Sequence, residues 1–508
     1  MKRYVELAEM LAAQIEAGML PVGARLPSVR HLTSQHGVGQ STVFRAYHLL
    51  EARGLIEAHA RSGYYVAAAA RAKVRPAGRA AAAAAPQIEI DATDFAFSVL
   101  DTHRHPGIVP LGSASPSPTL FPLQRLAKSL AHATRLLDPW STVHATARGE
   151  EHLRRQLAQR YLGMGIPQPL EEIVVTNGAM EALNLCLMAV TSPGDFIAIE
   201  SPCFHGVLQA VERLGLRAIE IPVDPQTGLD LVALENALQR HPIRVCWFMT
   251  NFHHPTGHTM SRARKAAMVA LLVKHQVPLI EDDVYGELHF NKARPFPAKA
   301  FDDHGLVMHC SSLSKTLCPG YRLGWTAAGR FADKVRKLKS MMSVATSVPI
   351  QAGIADYLQH GGFDRHLKKL RASLHAQLKA MEKAIARCLP SSVQYHRPAG
   401  GYFLWLRLPA HVDAMRVHTL ALEHGISVTP GAVFASTGRY RNYLRINFGH
   451  PWTPRFENAL EILGELLAAE EVGFGLYGYL LRRDGGERTY SMWPRFADEL
   501  SAAPDYAS

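Results

Sequence analysis

Four short stretches set amine, acid and hydroxyl side chains at spacings that suit covalent and electrostatic chemistry. Ser311-Ser312-Leu313-Ser314-Lys315 places a lysine among small hydroxyl residues, and Arg322 follows within Pro319-Gly320-Tyr321-Arg322-Leu323-Gly324. Glu281-Asp282-Asp283-Val284-Tyr285 sets carboxylates beside a phenol, directly after the apolar pair Leu279-Ile280. Asn177-Gly178-Ala179-Met180 follows the apolar run from Ile173 to Thr176, and Asn251-Phe252-His253-His254-Pro255-Thr256-Gly257 follows another. An amine condenses with an aldehyde. A carboxylate keeps a pyridine nitrogen protonated, which makes the ring an electron sink. A phenol and an Asn or His can bond a ring hydroxyl, while helix-start N–H groups, a serine and an arginine hold a phosphate. One molecule asks for all of these, pyridoxal 5′-phosphate. Each piece also has a plainer use. A lysine in an apolar run snorkels to the surface, a glycine in a strand–helix turn is common, and an acid after a strand caps the next helix. Capping is the preferred reading for Asp283. His253, His254 and His258 are split by a Pro-Thr-Gly turn with no carboxylate nearby, so no metal is expected there.

These residues need a frame that brings strand ends together. From about 106 to 470, short apolar runs (Ile173–Thr176, Phe196–Glu200, Arg244–Thr250, Pro278–Asp282, Leu306–Ser311) alternate with helical segments. That alternation predicts an α/β domain with a mainly parallel, doubly covered sheet, and such sheets bind ligands at the carboxyl ends of their strands. Residues 1–66 read differently. Leu7, Met10, Leu11 and Ile15 have helical spacing, Ser28 is placed to cap a second helix, and Gly37-Val38-Gly39 turns into a third from about Gln40 to Arg53. Leu55-Ile56 and Tyr64-Tyr65-Val66 around a polar tip predict a hairpin. Three helices and a hairpin make a winged helix-turn-helix. Its third helix offers Gln40, Ser41, Thr42 and Arg45, and Arg61 sits at the hairpin tip. Short polar residues at a helix start suit phosphate, and Gln40 and Arg45 can read base edges.

Composition agrees with a soluble, two-part chain. Of 508 residues, 47% are hydrophobic and 19% charged, and the formal net charge is +11. Residues 1–80 hold eleven Lys and Arg against five Glu, a net of +6 in the first sixth of the chain. A basic block of that kind fits nucleic acid, an acidic membrane surface or solubility. Six scattered cysteines without a C-x-x-C pair argue against a disulfide framework or structural zinc. No apolar signal core and no run long enough to span a bilayer is present, so a cytoplasmic protein without membrane contact is expected. The expected domains are a head at 1–69, an Ala/Arg-rich linker at 70–105, the α/β domain at 106–470, and a C-terminal tail at 471–508 with no readable motif.

Leu-Pro-Ser-Val-Arg (26–30), Ser-Thr-Val (41–43), Ala-Tyr-His-Leu-Leu (46–50), Gly-Leu-Ile (54–56) and Ser-Gly-Tyr-Tyr-Val (62–66) together resemble the GntR winged-helix family. That resemblance implies that Arg30, Gln40, Ser41, Thr42 and Arg45 contact double-stranded DNA. Gly39-Gln40 stands where many members have Ser-Arg, so operator preference does not carry over. Ser-Leu-Ser-Lys-Thr-Leu (312–317), Pro-Gly-x-Arg-x-Gly (319–324) and Asp-x-x-Tyr (282–285) resemble the fold-type I aminotransferases over about 106–470. The resemblance implies a large part at about 150–350, with the flanks forming a smaller α+β part. It implies that Lys315 forms the internal aldimine, Asp282 pairs with the ring nitrogen and Tyr285 binds the ring hydroxyl. It gives the phosphate to Ser312, Arg322 and the Ala179 and Met180 amides beside Gly178, the ring face to Phe204, and an amino acid's α-carboxylate to Arg445 as a bidentate grip. His254 replaces the Asn of Asn-Pro-Thr-Gly, and His144 stands where a Tyr often reaches the partner subunit's phosphate. These departures put efficient transamination in doubt. Head and cofactor domain in this order resemble the MocR group of regulators, typically dimers. The expected function is therefore ligand-gated transcription by an amino compound or pyridoxal species. The alternative is a working class I/II aminotransferase acting between an amino acid and a 2-oxo acid.

Overall fold

Side-chain size, capping and turn chemistry divide the chain into two separately cored units. A computed structural model describes residues 3–16, 20, 23–59, 63–67, 107–436 and 438–471. Arg61, the 70–105 segment and the tail beyond Glu471 lie outside the described residues.

In the smaller unit, helix α1 (Arg3–Glu16) precedes α2 (Val29–His36) and α3 (Gln40–Ala52), and strands β1 (Ile56–His59) and β2 (Gly63–Val66) pair antiparallel. Ser28 caps α2 by accepting from the His31 amide at 3.2 Å, as its position in sequence predicts. Gly37 ends α2 with φ 61°, a left-handed conformation that a residue without Cβ adopts freely. Leu7, Leu11, Ile15, Leu26, Leu32, Val43, Tyr47, Leu50, Ile56 and Val66 fill the core, and the Tyr47 hydroxyl donates to the Pro27 carbonyl.

The larger unit opens with α4 (Leu123–Leu136), α5 (Pro139–Val143) and α6 (Glu151–Gly163). Its main sheet runs β3 (Ile173–Thr176), β10 (Gly324–Ala327), β9 (Val307–Ser312), β8 (Leu279–Asp282), β7 (Ile243–Phe248), β4 (Phe196–Ser201), β5 (Arg217–Asp224) and β6 (Gly228–Leu229) in spatial order. The β4–β5, β4–β7, β7–β8 and β8–β9 pairs are parallel, whereas β10 is antiparallel to both β3 and β9. Strands β3, β8, β9 and β10 are buried along their whole length. Burial on both faces explains why their first residues are mainly apolar, while the polar residues of β8 and β9 fall towards the strand ends.

Register sets the site. Gly324 pairs with Thr176 on one side and Ser312 on the other, so β10 brings the ends of β3 and β9 level. Asp282 pairs with Cys310, which sets the end of β8 beside β9. Helices α7 (Ala179–Val190) and α8 (His205–Arg213) leave β3 and β4 at that same edge. A second, antiparallel sheet contains β11 (Gln394–Tyr395), β12 (Phe403–Arg407), β14 (Tyr443–Asn447) and β13 (Thr429–Pro430), in that order. Residues 109–117 run along it, with the Val109 amide donating to Gly425 and the Asn447 amide to Leu111. Cys186, Cys203, Cys246 and Cys310 are buried, while Cys318 and Cys388 are half-buried, and all six are free thiols.

Candidate functional site

The smaller unit divides α3 into two faces. Val43, Ala46, Tyr47 and Leu50 point inward, while Gln40, Ser41, Phe44, Arg45 and His48 are exposed and Thr42 is half-buried. Gly39 precedes α3 without a side-chain cap; the Thr42 and Val43 amides donate to its carbonyl, while the Gln40 and Ser41 amides have no capping side chain there. Arg30 is exposed in the first turn of α2. Sequence reasoning missed two exposed neighbours. Phe44 stands among the polar residues of α3, and Arg25 lays its guanidinium against Gly63 of the hairpin. Phe44 was hidden by its apolar type, and Arg25 by its distance in sequence from the hairpin.

In the larger unit, Gly178 has φ 86° and starts α7 with no side-chain cap. A Cβ at Gly178 would collide with Arg322 Nη2, so a side chain there would push the guanidinium aside. Arg322 is itself left-handed at φ 48° and donates to Ser314 Oγ at 3.3 Å. A cation, a hydroxyl and the Ala179 and Met180 amides thus meet at one helix start, a cradle for an anion. Glu181 is kept from it by bonds from Asn177 and Lys339.

Lys315 donates to the Ala114 carbonyl at 2.8 Å. The residue as a whole is half-buried, with its amine turned to that carbonyl. Burial lowers that amine to about 8, helped by Arg445 and Arg322 and opposed by Asp282. Asp282 is 2% exposed, and its Oδ1 has no hydrogen-bond partner. Burial, then the charge of Asp283, lifts the Asp282 carboxyl to about 7. Tyr285 is buried edge-on to Tyr402, with ring centroids 5.5 Å apart, and burial raises its phenol. Ser312 is buried at the end of β9.

His254 lies between Phe403, stacked at 4.6 Å, and Phe204 at 5.6 Å. Burial and Arg445 hold it well below the usual histidine range. It is therefore neutral, and accepts from Arg445 Nη1 through Nε2 at 2.9 Å. Arg445 is 2% exposed and its guanidinium lies 4.5 Å over the Phe403 ring. Its Nη2 donates to the Gly112 carbonyl and, at 2.7 Å, to Thr429 Oγ1, while Nε has no partner. Three of its five N–H groups, both of those on Nη2 among them, are thus engaged within the protein, leaving Nε and one N–H of Nη1. Burial lowers Arg445 to about 10.

Two expectations need correction or relocation. Asp283 caps no helix. A turn follows it, and its buried carboxylate accepts from Asn251, Arg294 and His309. His144 is exposed at the end of α5, stacked on Trp140 at 5.4 Å. Sequence reasoning also missed the carbonyls of Gly112 and Ala114, which meet Arg445 and Lys315. Main-chain acceptors carry no residue-type signal.

A winged-helix DNA-binding unit and a unit of the pyridoxal-phosphate-dependent aminotransferase fold therefore share one chain. Residues 3–66 match the bacterial regulatory proteins of the gntR family, and residues 118–463 match aminotransferase class I and II. The chain is 44% identical to the HTH-type transcriptional regulator YdcR of Escherichia coli K12, over 92% of this chain and 99% of that one. It is 37% identical to the regulator YjiR of the same strain, over 92% and 98%. LysN, the alpha-aminoadipate aminotransferase of Thermus thermophilus, solved with N-(5′-phosphopyridoxyl)-L-leucine, superposes with a TM-score of 0.67. The identity is 27%, over 72% of this chain and 94% of that one. The chain belongs to the MocR-type regulators, a GntR-family head fused to a class I/II aminotransferase domain.

The cofactor of that fold is pyridoxal 5′-phosphate, and the residues present fit it. Asp282 has an orphaned buried oxygen for a protonated ring nitrogen. The Gly178–Arg322 contact makes a cationic helix start for phosphate, and Lys315 supplies an amine of lowered basicity.

Proposed function

We propose that the protein is a cytoplasmic transcription regulator that reads an amino compound or pyridoxal species at Lys315 and passes the result to its DNA-binding head. One observation carries this reading: an exposed polar helix face and a buried amine–acid–guanidinium set are built into the same chain. When bound, the cofactor supplies an aldehyde that condenses with amines and a ring that withdraws electrons from them.

The chain's own residues do the rest. Burial brings the Lys315 amine down to about 8, so it gives up its proton far more readily than an exposed lysine and serves as the attached amine. Asp282 Oδ1 holds the proton at the ring nitrogen, and Tyr285 and His254 face the ring hydroxyl. Phe204 covers the ring. Ser312, Arg322 and the Ala179 and Met180 amides hold the phosphate, with His144 assigned to the partner subunit's phosphate in a homodimer. Arg445 takes the ligand's carboxylate. To offer two parallel donors it must release an Nη2 partner, Gly112 or Thr429. Internal partners that re-form on each release favour ligand sensing over sustained turnover. In the head, Arg30, Gln40, Ser41, Thr42, Arg45 and Arg61 contact a double-stranded operator. Coupling follows if ligand binds two arrangements of the protein with different affinity. The head is assigned to 1–69, the linker to 70–105, the cofactor domain to 106–470 and the tail to 471–508.

The convergence of Lys315, Asp282 and Tyr285 also suits an aminotransferase, which would show steady amino transfer to a 2-oxo acid and no sequence-specific DNA binding. One paired experiment separates the two. The visible absorption of cofactor-loaded protein is compared with that of Lys315→Ala, and the DNA upstream of its own and neighbouring genes is footprinted. A lysine-dependent band with a discrete footprint is expected. A band without any footprint sinks the regulator reading.

A further inference from the structure

Glu281, Asp282 and Asp283 are three consecutive carboxylates at the end of β8, and all three are buried. The outer two are fully engaged. Glu281 accepts from Thr250 Oγ1 at 2.5 Å and from the Ala298 and Lys299 amides at 2.6 and 3.0 Å. Asp283 accepts from Asn251 Nδ2 at 3.0 Å, Arg294 Nη2 at 2.6 Å and His309 Nε2 at 3.0 Å. Asp282, between them, keeps an unpartnered oxygen.

The bond from His309 has a fixed direction. Trp325 Nε1 can only donate, and it donates to the Tyr161 hydroxyl at 3.0 Å. The ionised Asp283 carboxylate can only accept, so His309 Nε2 donates to it, and Nδ1 of the neutral ring accepts from the Tyr161 hydroxyl, 2.6 Å away. The ring proton of His309 must then sit on Nε2, aimed at Asp283 Oδ2. Tyr161 comes from α6, Trp325 from β10 and His309 from β9, and all are buried. Apolar residues could fill this volume without the cost of burying polar groups. A directed polar chain ending on the carboxylate next to Asp282 therefore calls for a reason.

We propose that Trp325, Tyr161 and His309 form a positioning relay that acts on Asp282 through Asp283. The inference rests on the reading that Asp282 faces the cofactor's ring nitrogen. Burial opposes ionisation of Asp283, yet Arg294, then His309 and Asn251, hold it well below the usual carboxylate range. Its charge is thus present but largely neutralised. The other groups that act on Asp282 are Glu200 of β4, Cys310 of β9, Lys315 beyond β9 and Tyr285 beyond β8. If His309 stops donating, less of the Asp283 charge is neutralised and its repulsion of Asp282 grows. Asp282 then takes up a proton at higher pH and loses its hold on a protonated ring nitrogen.

The test titrates full-length, cofactor-stripped protein with pyridoxal 5′-phosphate across pH, alongside melting temperatures. It compares wild type, Tyr161→Phe and the double variant Tyr161→Phe/His309→Gln. Glutamine returns a donor near the place of Nε2 without needing Tyr161 to orient it. Tyr161→Phe is expected to weaken cofactor binding about fivefold at neutral pH and to move its acid-side loss upward by about half a pH unit. The double variant is expected to recover both. Trp325→Phe cuts the chain one bond earlier and supplies the same measurement if Tyr161→Phe does not fold. A lower melting temperature with unchanged affinity and pH profile overturns the relay, as does a double variant that restores neither. Wild-type protein that takes up no cofactor overturns the reading of Asp282 and the relay with it.

Discussion

Arg30 and Arg45 of the head stand in water, while Asp282, Arg445 and the amine of Lys315 in the larger unit are walled in by protein. The two regions use charge in opposite ways. Exposed cations cost little to maintain, act in number and weaken with salt. Buried groups cost desolvation, act singly and answer to their neighbours and to pH. Salt should therefore govern the head, and pH the cofactor unit.

The comparison can be broken most sharply at Lys315. Lys315→Ala is expected to abolish the visible cofactor band completely, while the slope of DNA affinity against salt stays at the wild-type value. A salt slope that changed with this variant would break the separation.

Acid–base behaviour gives the next effect. The Asp282 carboxyl rises from 3.8 to about 7 on folding. A raised carboxyl contributes stability that is fully present below the lower value and lost as pH climbs through the upper one. Cofactor-free protein should therefore lose on the order of 2–4 kcal/mol between pH 4 and pH 7 from this group. Asp282→Asn should flatten that part of a melting-temperature profile, and an unflattened profile would move the cause elsewhere.

Arg45→Ala sharpens the other side. It should cost about tenfold in operator affinity, with the salt slope reduced by about one if the contact is to phosphate, or unchanged if it reads a base. Titrations at several salt concentrations distinguish these. The smallest effect is at Ser28, where Ser28→Ala removes the α2 cap and should destabilise the head by about 1 kcal/mol in denaturant melts.

The same contrast explains what could be read before the structure. The third helix, its capped predecessor and the hairpin follow from local spacing, and the exposed face of α3 from its helical period. Lys315, Asp282, Tyr285 and Arg322 were legible because each ends a strand or opens a turn with neighbours of telling type. The bonding of Asp283 was not, since Arg294 and His309 reach it from 11 and 26 positions away through sheet order, and Tyr161 reaches His309 across 148. The Arg445–His254 bond spans 191 positions, and nothing in either residue's neighbourhood announces it. Gly112 and Ala114 act through carbonyls that every residue possesses.

The placement of the cysteines has a practical consequence. The head contains none, four in the larger unit are buried, and Cys318 is half-buried in the loop between Lys315 and Arg322. With Cys388 replaced by serine, a thiol-directed fluorophore would report from three residues beyond Lys315. A second dye on a cysteine placed in the head would turn the chain into a distance gauge, readable molecule by molecule as ligand is added.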